Sequence, residues 1–132
     1  GNAHLWGIIG EQKEAAFAAK KVILTAEEIV DESVIRSDPN RTMIPGIIVS
    51  AVCHVPFACH PSYAQGHYDR DNEFYLAWDK ISESLDTVKA WLDEWVYSVK
   101  DREEYWQKLG AETHKRLEVP KQMSEPINYG KY

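Results

Sequence analysis

The sequence predicts an α/β fold, a mostly parallel sheet followed by a C-terminal helical region. Short β-branched runs are interleaved with an Ala-rich helical stretch up to about residue 70. Beyond Asp71 the apolar residues recur at steps of three and four, the period of an amphipathic helix. With 44% hydrophobic residues and five Trp in 132 residues, the chain can also bury a core, and one domain is the natural size.

Residues 3–9 (AHLWGII) read as a short strand closed by Gly10. Residues 11–20 (EQKEAAFAAK) are Ala-rich, acidic at the start and basic at the end, which suits a short helix and its dipole. Residues 21–26 (KVILTA) form a second, buried strand, completing a β-α-β unit of parallel type. Glu27 and Glu28 follow at its carboxyl end, where ligands gather in open α/β sheets. One of them could equally cap a helical turn over 29–34 or face solvent. Asp38-Pro39-Asn40 supplies turn chemistry, and residues 47–52 read as the next buried strand, ended by Pro56.

Asp71 or Asn72 caps a helix over 73–81, with Phe74, Ala77, Trp78 and Ile81 on one face. Ser84 caps the next, whose inward residues are Leu85, Val88, Leu92, Trp95, Val96 and Val99. Asp101 and Glu104 form a capping-box variant opening a third helix, with Tyr105, Trp106 and Leu109 inward; Gly110 weakens that helix or ends a turn. The expected organisation is residues 1–70 as an α/β part, 71–119 as helices packing on the sheet or a partner, and 120–132 as a polar tail.

The net charge of −6, with no basic block, argues against nucleic acid and against an anionic membrane surface. No apolar run approaches the ~20 residues that cross a bilayer, and no signal-peptide pattern opens the chain. Two cysteines six residues apart are not a secreted disulfide framework. A cytoplasmic protein is the plain expectation. The opening Gly1-Asn2 is a turn dipeptide that ordinarily joins two elements, so the chain is expected to be a fragment or processed subunit lacking an N-terminal half.

The reactive groups crowd into residues 43–71, where Cys53, His54, Cys59, His60, Ser62, Tyr63, His67 and Asp69 all fall. A Cys/His metal site is disfavoured, because strand neighbours such as Cys53 and His54 point to opposite faces and the pair spacing is unlike that of zinc knuckles. No metal is therefore expected. Cys59 and His60 are adjacent, whereas a nucleophilic Cys and its His are brought together by the fold. A third reading is binding without covalent work. His60-Pro61-Ser62 presents an imidazole, a hydroxyl and backbone N–H groups suited to a carboxylate or carbonyl oxygen, and Gly66 permits close backbone approach. An ordinary hydrogen-bonded loop is the alternative. His60, Ser62, Glu28 and His54 are the candidate substrate-binding residues, and no catalytic residue is assigned.

Several separate blocks extend this reading. Gly1-Asn2 through Trp6-Gly7, residues 14–23 (EAAFAAKKVI), residues 25–30 (TAEEIV), Ile44-Pro45-Gly46, Ala51-Val52, Pro56 and His60-Pro61-Ser62 occur in order. Together they resemble the second half of the α (A) subunit of family I coenzyme A transferases, of the glutaconate and 3-oxoacid type, over roughly residues 1–110. Cys59 departs from the family's small residue at that point.

The resemblance implies part of an open, mostly parallel sheet of the CoA-transferase type. It implies transfer of CoA between an acyl-CoA and a carboxylic acid, with no cofactor beyond CoA as a thioester substrate. It implies two partners, a β subunit that supplies the nucleophilic Glu and the N-terminal half of the α subunit. This chain would contribute pocket walls and subunit contacts. The same superfamily implies an alternative, a ring-opening CoA-ester hydrolase. A non-catalytic scaffold subunit is the alternative from outside enzymology, favoured by the Trp-rich helices.

Overall fold

The computed structural model describes residues 1–119; the polar tail expected over 120–132 lies outside them. The chain divides into two compact units, Gly1–Ala58 and the residues from Cys59 onward.

In the first unit, α1 (Gln12–Ala18) and β2 (Ile23–Ala26) fall where the sequence places them, each shorter than expected: α1 loses residues at both ends and β2 at its start. The expected strand over 3–9 contracts to β1 (Ala3–His4). Gly7, at φ 90°, turns the chain out of the extended region, and Ile8 beyond it is exposed. The helical turn expected over 29–34 forms later, as α2 (Glu32–Ser37), because Asp31 is the residue able to cap it: its carboxylate accepts the Ser33 N–H at 2.8 Å.

The largest revision concerns residues 42–54. In place of one strand over 47–52 there are two, β3 (Thr42–Ile44) and β4 (Ala51–His54), separated by a 3₁₀ turn at Gly46–Ile48. Pro45 and Gly46 interrupt the apolar run. The Gly46 N–H donates to Asn2 Oδ1 at 2.7 Å, and a Cβ there would lie 3.1 Å from Gly1 C and from Asn2 N, so the chain start packs directly on this turn.

The pairing follows from that break. β1 pairs antiparallel with β3, Ala3 opposite Ile44. β2 pairs parallel with β4 in the register Ile23–Ala51, Leu24–Val52, Thr25–Cys53 and Ala26–His54. The parallel unit is thus β2-α2-β4, not residues 3–26 as the sequence suggests. Ala16, Val22 and Ile44 form the small core, with Ala3, Leu24, Ile48 and Val49 against it. β4 was expected to be buried, yet Ala51–His54 are exposed throughout, and among the described residues the parallel pair gains no third strand.

The second unit is helical. α3 (Asn72–Ile81) is capped by Asp71, which accepts the Phe74 N–H at 3.2 Å. α4 (Leu85–Leu92) opens with a reciprocal Ser84–Thr87 capping box. α5 (Arg102–Arg116) is capped by Asp101, and Gly110 at φ 80° and ψ 157° kinks it. Between α4 and α5, Asp93–Tyr97 is π-helical. The wider turn shifts the helical phase, so Val96 leaves the apolar stripe and is exposed; Leu85, the first residue of α4, is exposed as well. Phe74 stacks on Trp78 with centroids 5.6 Å apart, and Trp91 meets Trp78 edge-on at 5.4 Å, so aromatic faces join α3 to α4. Tyr68 and Leu117 are the buried apolar residues of this unit among the described residues, and the Asp69 N–H donates to Leu117 O at 2.8 Å, tying the loop to the end of α5.

Gly46→Ala is expected to cost about 1–3 kcal/mol, because the added methyl meets backbone that cannot rotate away. The denaturant midpoint of the purified chain measures it.

Candidate functional site

Parallel pairing brings the carboxyl ends of β2 and β4 side by side, and the first group of polar contacts lies there. Glu27 directly follows β2. Its carboxylate receives two successive backbone amides from the segment after β4: Phe57 N–H to Oε2 at 2.5 Å and Ala58 N–H to Oε1 at 3.1 Å. Phe57 adopts φ 64°, the left-handed region that a bulky side chain enters at a cost of about 1–2 kcal/mol. Two charge-assisted bonds offset that strain. His54, the last residue of β4, approaches the same segment, its Nε2 lying 3.2 Å from the Glu27 carbonyl oxygen. A carbonyl only accepts, so Nε2 carries the proton. Glu28 is exposed.

The second group lies in the helical unit and centres on His60, whose side chain is 1% exposed. Nε2 lies 3.0 Å from Asp71 Oδ2, and Nδ1 lies 2.6 Å from the Tyr105 hydroxyl. Asp71 Oδ1 accepts the Phe74 N–H and an Arg116 N–H, the latter at 3.0 Å, while Arg116 also reaches Glu73 at 3.3 Å.

The electrostatics fix the protonation pattern. Burial pushes the His60 pKa down and outweighs the Asp71 carboxylate beside it, so the imidazole is neutral. Burial pushes Asp71 up, but the hydrogen bonds from Arg116, His60 and Phe74 prevail and hold it below the ordinary carboxylate range. An ionised Asp71 must receive a proton from Nε2, so Nδ1 is bare and accepts the Tyr105 O–H. The pair is a directed neutral hydrogen bond between His60 and a carboxylate, not an ion pair. Burial raises Tyr105, which favours its protonated, donating form.

Ser62 is half-buried, its N–H donating to Cys59 O at 2.8 Å, and the Cys59 N–H donates in turn to the Tyr68 hydroxyl at 2.8 Å. His60 and Ser62 therefore lie on one tightly bonded loop. Beside it opens a cavity of about 280 Å³, lined by Phe74, Trp91, Trp95 and Tyr105 with Asp71 and Arg116 among its polar groups. Cys53 and Cys59 are free thiols. Among the described residues, no three His, Cys, Asp or Glu side chains gather closely enough to hold a metal ion. None of the described helices is long and apolar enough to cross a membrane.

Of the four candidate binding residues, His54 and Glu28 thus belong to the first unit and His60 and Ser62 to the second. Sequence reasoning had not singled out the Glu27 bonds, nor Tyr105 and Arg116 as companions of His60. Asp71 was legible as a helix cap, a role that occupies only one of its two oxygens. Nothing local announces a contact across 45 residues.

No family model matches the chain. Its fold does match a solved structure, the glutaconate coenzyme A-transferase of Acidaminococcus fermentans, with a TM-score of 0.83 and 41% identity over 90% of this chain and 38% of that one. The architecture is therefore that of a CoA-transferase α/β chain. Among curated proteins, the A subunit of 3-oxoadipate CoA-transferase from Pseudomonas knackmussii is 51% identical over 109 residues, 83% of this chain. The A subunit of glutaconate CoA-transferase from A. fermentans is 42% identical over 111 residues, 84% of this chain. The protein is a homologue of the A subunits of CoA-transferases. It spans 38% and 35% of the length of those two relatives.

The pKa directions give a pH dependence of stability. His60 binds its proton less tightly when folded, so its contribution is complete above the ordinary value of 6.5 and shrinks as pH falls below it. Asp71 is depressed too, and its contribution is lost only as pH falls from 3.8 through its folded value. Denaturant unfolding across this range is expected to show two successive losses of stability. His60→Gln is expected to abolish the first and to cost about 1–3 kcal/mol at neutral pH, by leaving a buried partner unsatisfied.

Proposed function

We propose that this chain is part of the A subunit of a CoA-transferase, which exchanges CoA between an acyl-CoA and a free carboxylic acid. The observation that carries this is the 51% identity to the A subunit of such an enzyme across 83% of the chain. The names of two relatives, 3-oxoadipate and glutaconate CoA-transferase, favour a dicarboxylic acid as substrate. Their designation as A subunits supports a second, B-type partner. The remainder of the A-type sequence is the other partner in this reading, and a cytoplasmic location goes with it.

The partner's glutamate carboxylate attacks the thioester carbonyl and expels CoA as thiolate, leaving a mixed acyl–glutamyl anhydride. The thiolate then attacks the glutamyl carbonyl, forming the glutamyl–CoA thioester and releasing the first acid as its carboxylate. The acceptor acid reverses both steps. The balance needs no redox or metal cofactor, only CoA carried as a thioester. This chain's share is to hold and orient carboxylate and carbonyl oxygens. Ser62 and His54 offer donors for them and Glu28 borders the same strand ends as His54, while His60 keeps the loop bearing Ser62 in place.

The test is a transfer assay on the complex assembled from this chain, the rest of an A-type chain and a B-type subunit, with dicarboxylic acids as acceptors. Ping-pong kinetics are expected. Ser62→Ala is expected to raise KM for the acid about tenfold, the loss of one hydrogen bond to a charged group. Thioester cleavage that proceeds without an acceptor would replace transfer by hydrolysis. An assembled complex turning over equally well with Ser62, His54 and Glu28 all changed to Ala would leave the chain a scaffold.

A further inference from the structure

Glu27 and Glu28 stand together in sequence, and the carboxylate that the fold puts to use is Glu27. Its two oxygens fill a cradle made by the successive Phe57 and Ala58 amides. Three features set this apart from an incidental tie. It lies at the carboxyl ends of two parallel strands, where α/β folds place their ligands. Phe57 is held at φ 64° against its own side-chain preference, which is what turns the two N–H groups toward one point. The His54 Nε2–H, 3.2 Å from the Glu27 carbonyl oxygen, adds a third donor beside the cradle. Converging N–H groups are the donor set of a carboxylate site, and a carboxylate is what they already hold.

We propose that the Phe57–Ala58 cradle is a carboxylate-binding site whose resident occupant is Glu27, and that a carboxylate of the acid substrate displaces Glu27 from it. Assigning that carboxylate to the transferred acid rests on the transferase reading; the site itself does not. The exchange is an equilibrium between two carboxylates. The tethered one competes at an effective concentration of about the millimolar range or more, so it masks the cradle from weak ligands until removed. Displacement breaks no covalent bond and moves no proton. Glu27 leaves as a solvated carboxylate, and the incoming acid accepts the same two N–H bonds.

The experiment uses acetate as probe and reads the backbone amide resonances of Phe57 and Ala58 in the full chain, at ionic strength matched with chloride. In Glu27→Ala, acetate is expected to shift both resonances saturably, with an apparent affinity about tenfold or more above that of the unaltered chain, because the internal competitor is gone. A folded Glu27→Ala chain whose two amides do not respond to acetate overturns the proposal, as does an equal response in both proteins. If Glu27→Ala does not fold, Glu27→Gln is measured instead, since its amide can accept only one of the two bonds. Acetate is then expected to raise its Tm more than that of the unaltered chain, and an equal rise overturns the site. None of these readings involves CoA. Acetate binding combined with absence of transfer in the assembled complex would therefore leave the cradle standing and remove only the transferase reading.

Discussion

A buried N–H group must find an acceptor or cost roughly the full desolvation of a polar group, about 1–3 kcal/mol. In each unit of this chain one carboxylate answers that demand for several donors at once. Asp71 accepts from the Phe74 amide, the His60 ring and the Arg116 guanidinium, and so joins a loop, the start of α3 and the end of α5. Glu27 accepts from two amides beyond β4 and so joins the end of one parallel strand to the exit of the other. Each carboxylate ties several donors at once, so these contacts are less dispensable than exposed ion pairs such as Glu32–Arg36.

The two carboxylates differ in what they leave available. Around Asp71 the donors and acceptors interlock: a neutral His60 gives one proton and receives another, and Tyr105 completes the line. That arrangement is suited to holding a loop in a single conformation, and the loop it holds carries Ser62. Around Glu27 the donors are backbone amides with no preference among carboxylates. The amide pair is exchangeable only in the sense proposed above, whereas the His60 network is made of side chains that each satisfy the next. Each unit thus carries its own, differently built carboxylate network.

The exposure of the strands bears on the first unit. β4 is exposed over its whole length, and Ile23 of β2 is 68% exposed, although parallel strands normally lie covered on both faces. The relatives are more than twice as long as this chain, which spans 38% of the first of them. A parallel pair with apolar residues on display leaves surfaces that further strands or helices can cover.

Much of the organisation was legible because it depends on local physics. Helix caps at Asp71, Ser84 and Asp101 are short-range hydrogen bonds, and all three helices begin where those side chains predict. The α/β character followed from β-branched runs around an Ala-rich helix, and ordered sequence blocks pointed to the A subunits of CoA-transferases. Strand partners were not legible. An apolar run of adequate length suits several neighbours; the break at Pro45-Gly46, packed on the chain start, splits the run, and the tertiary structure pairs β4 with β2 and β1 with β3. The site shows the same boundary more sharply. Sequence by itself determined which residues could act: two glutamates after a strand and a loop rich in His, Ser and Cys. Tertiary structure decided that Glu27, not Glu28, meets the amides 30 residues away, and that His60 meets Tyr105 across 45 residues. Capping and periodicity operate within a few residues, whereas the partner of a buried polar group is chosen by whichever distant backbone the fold delivers to it.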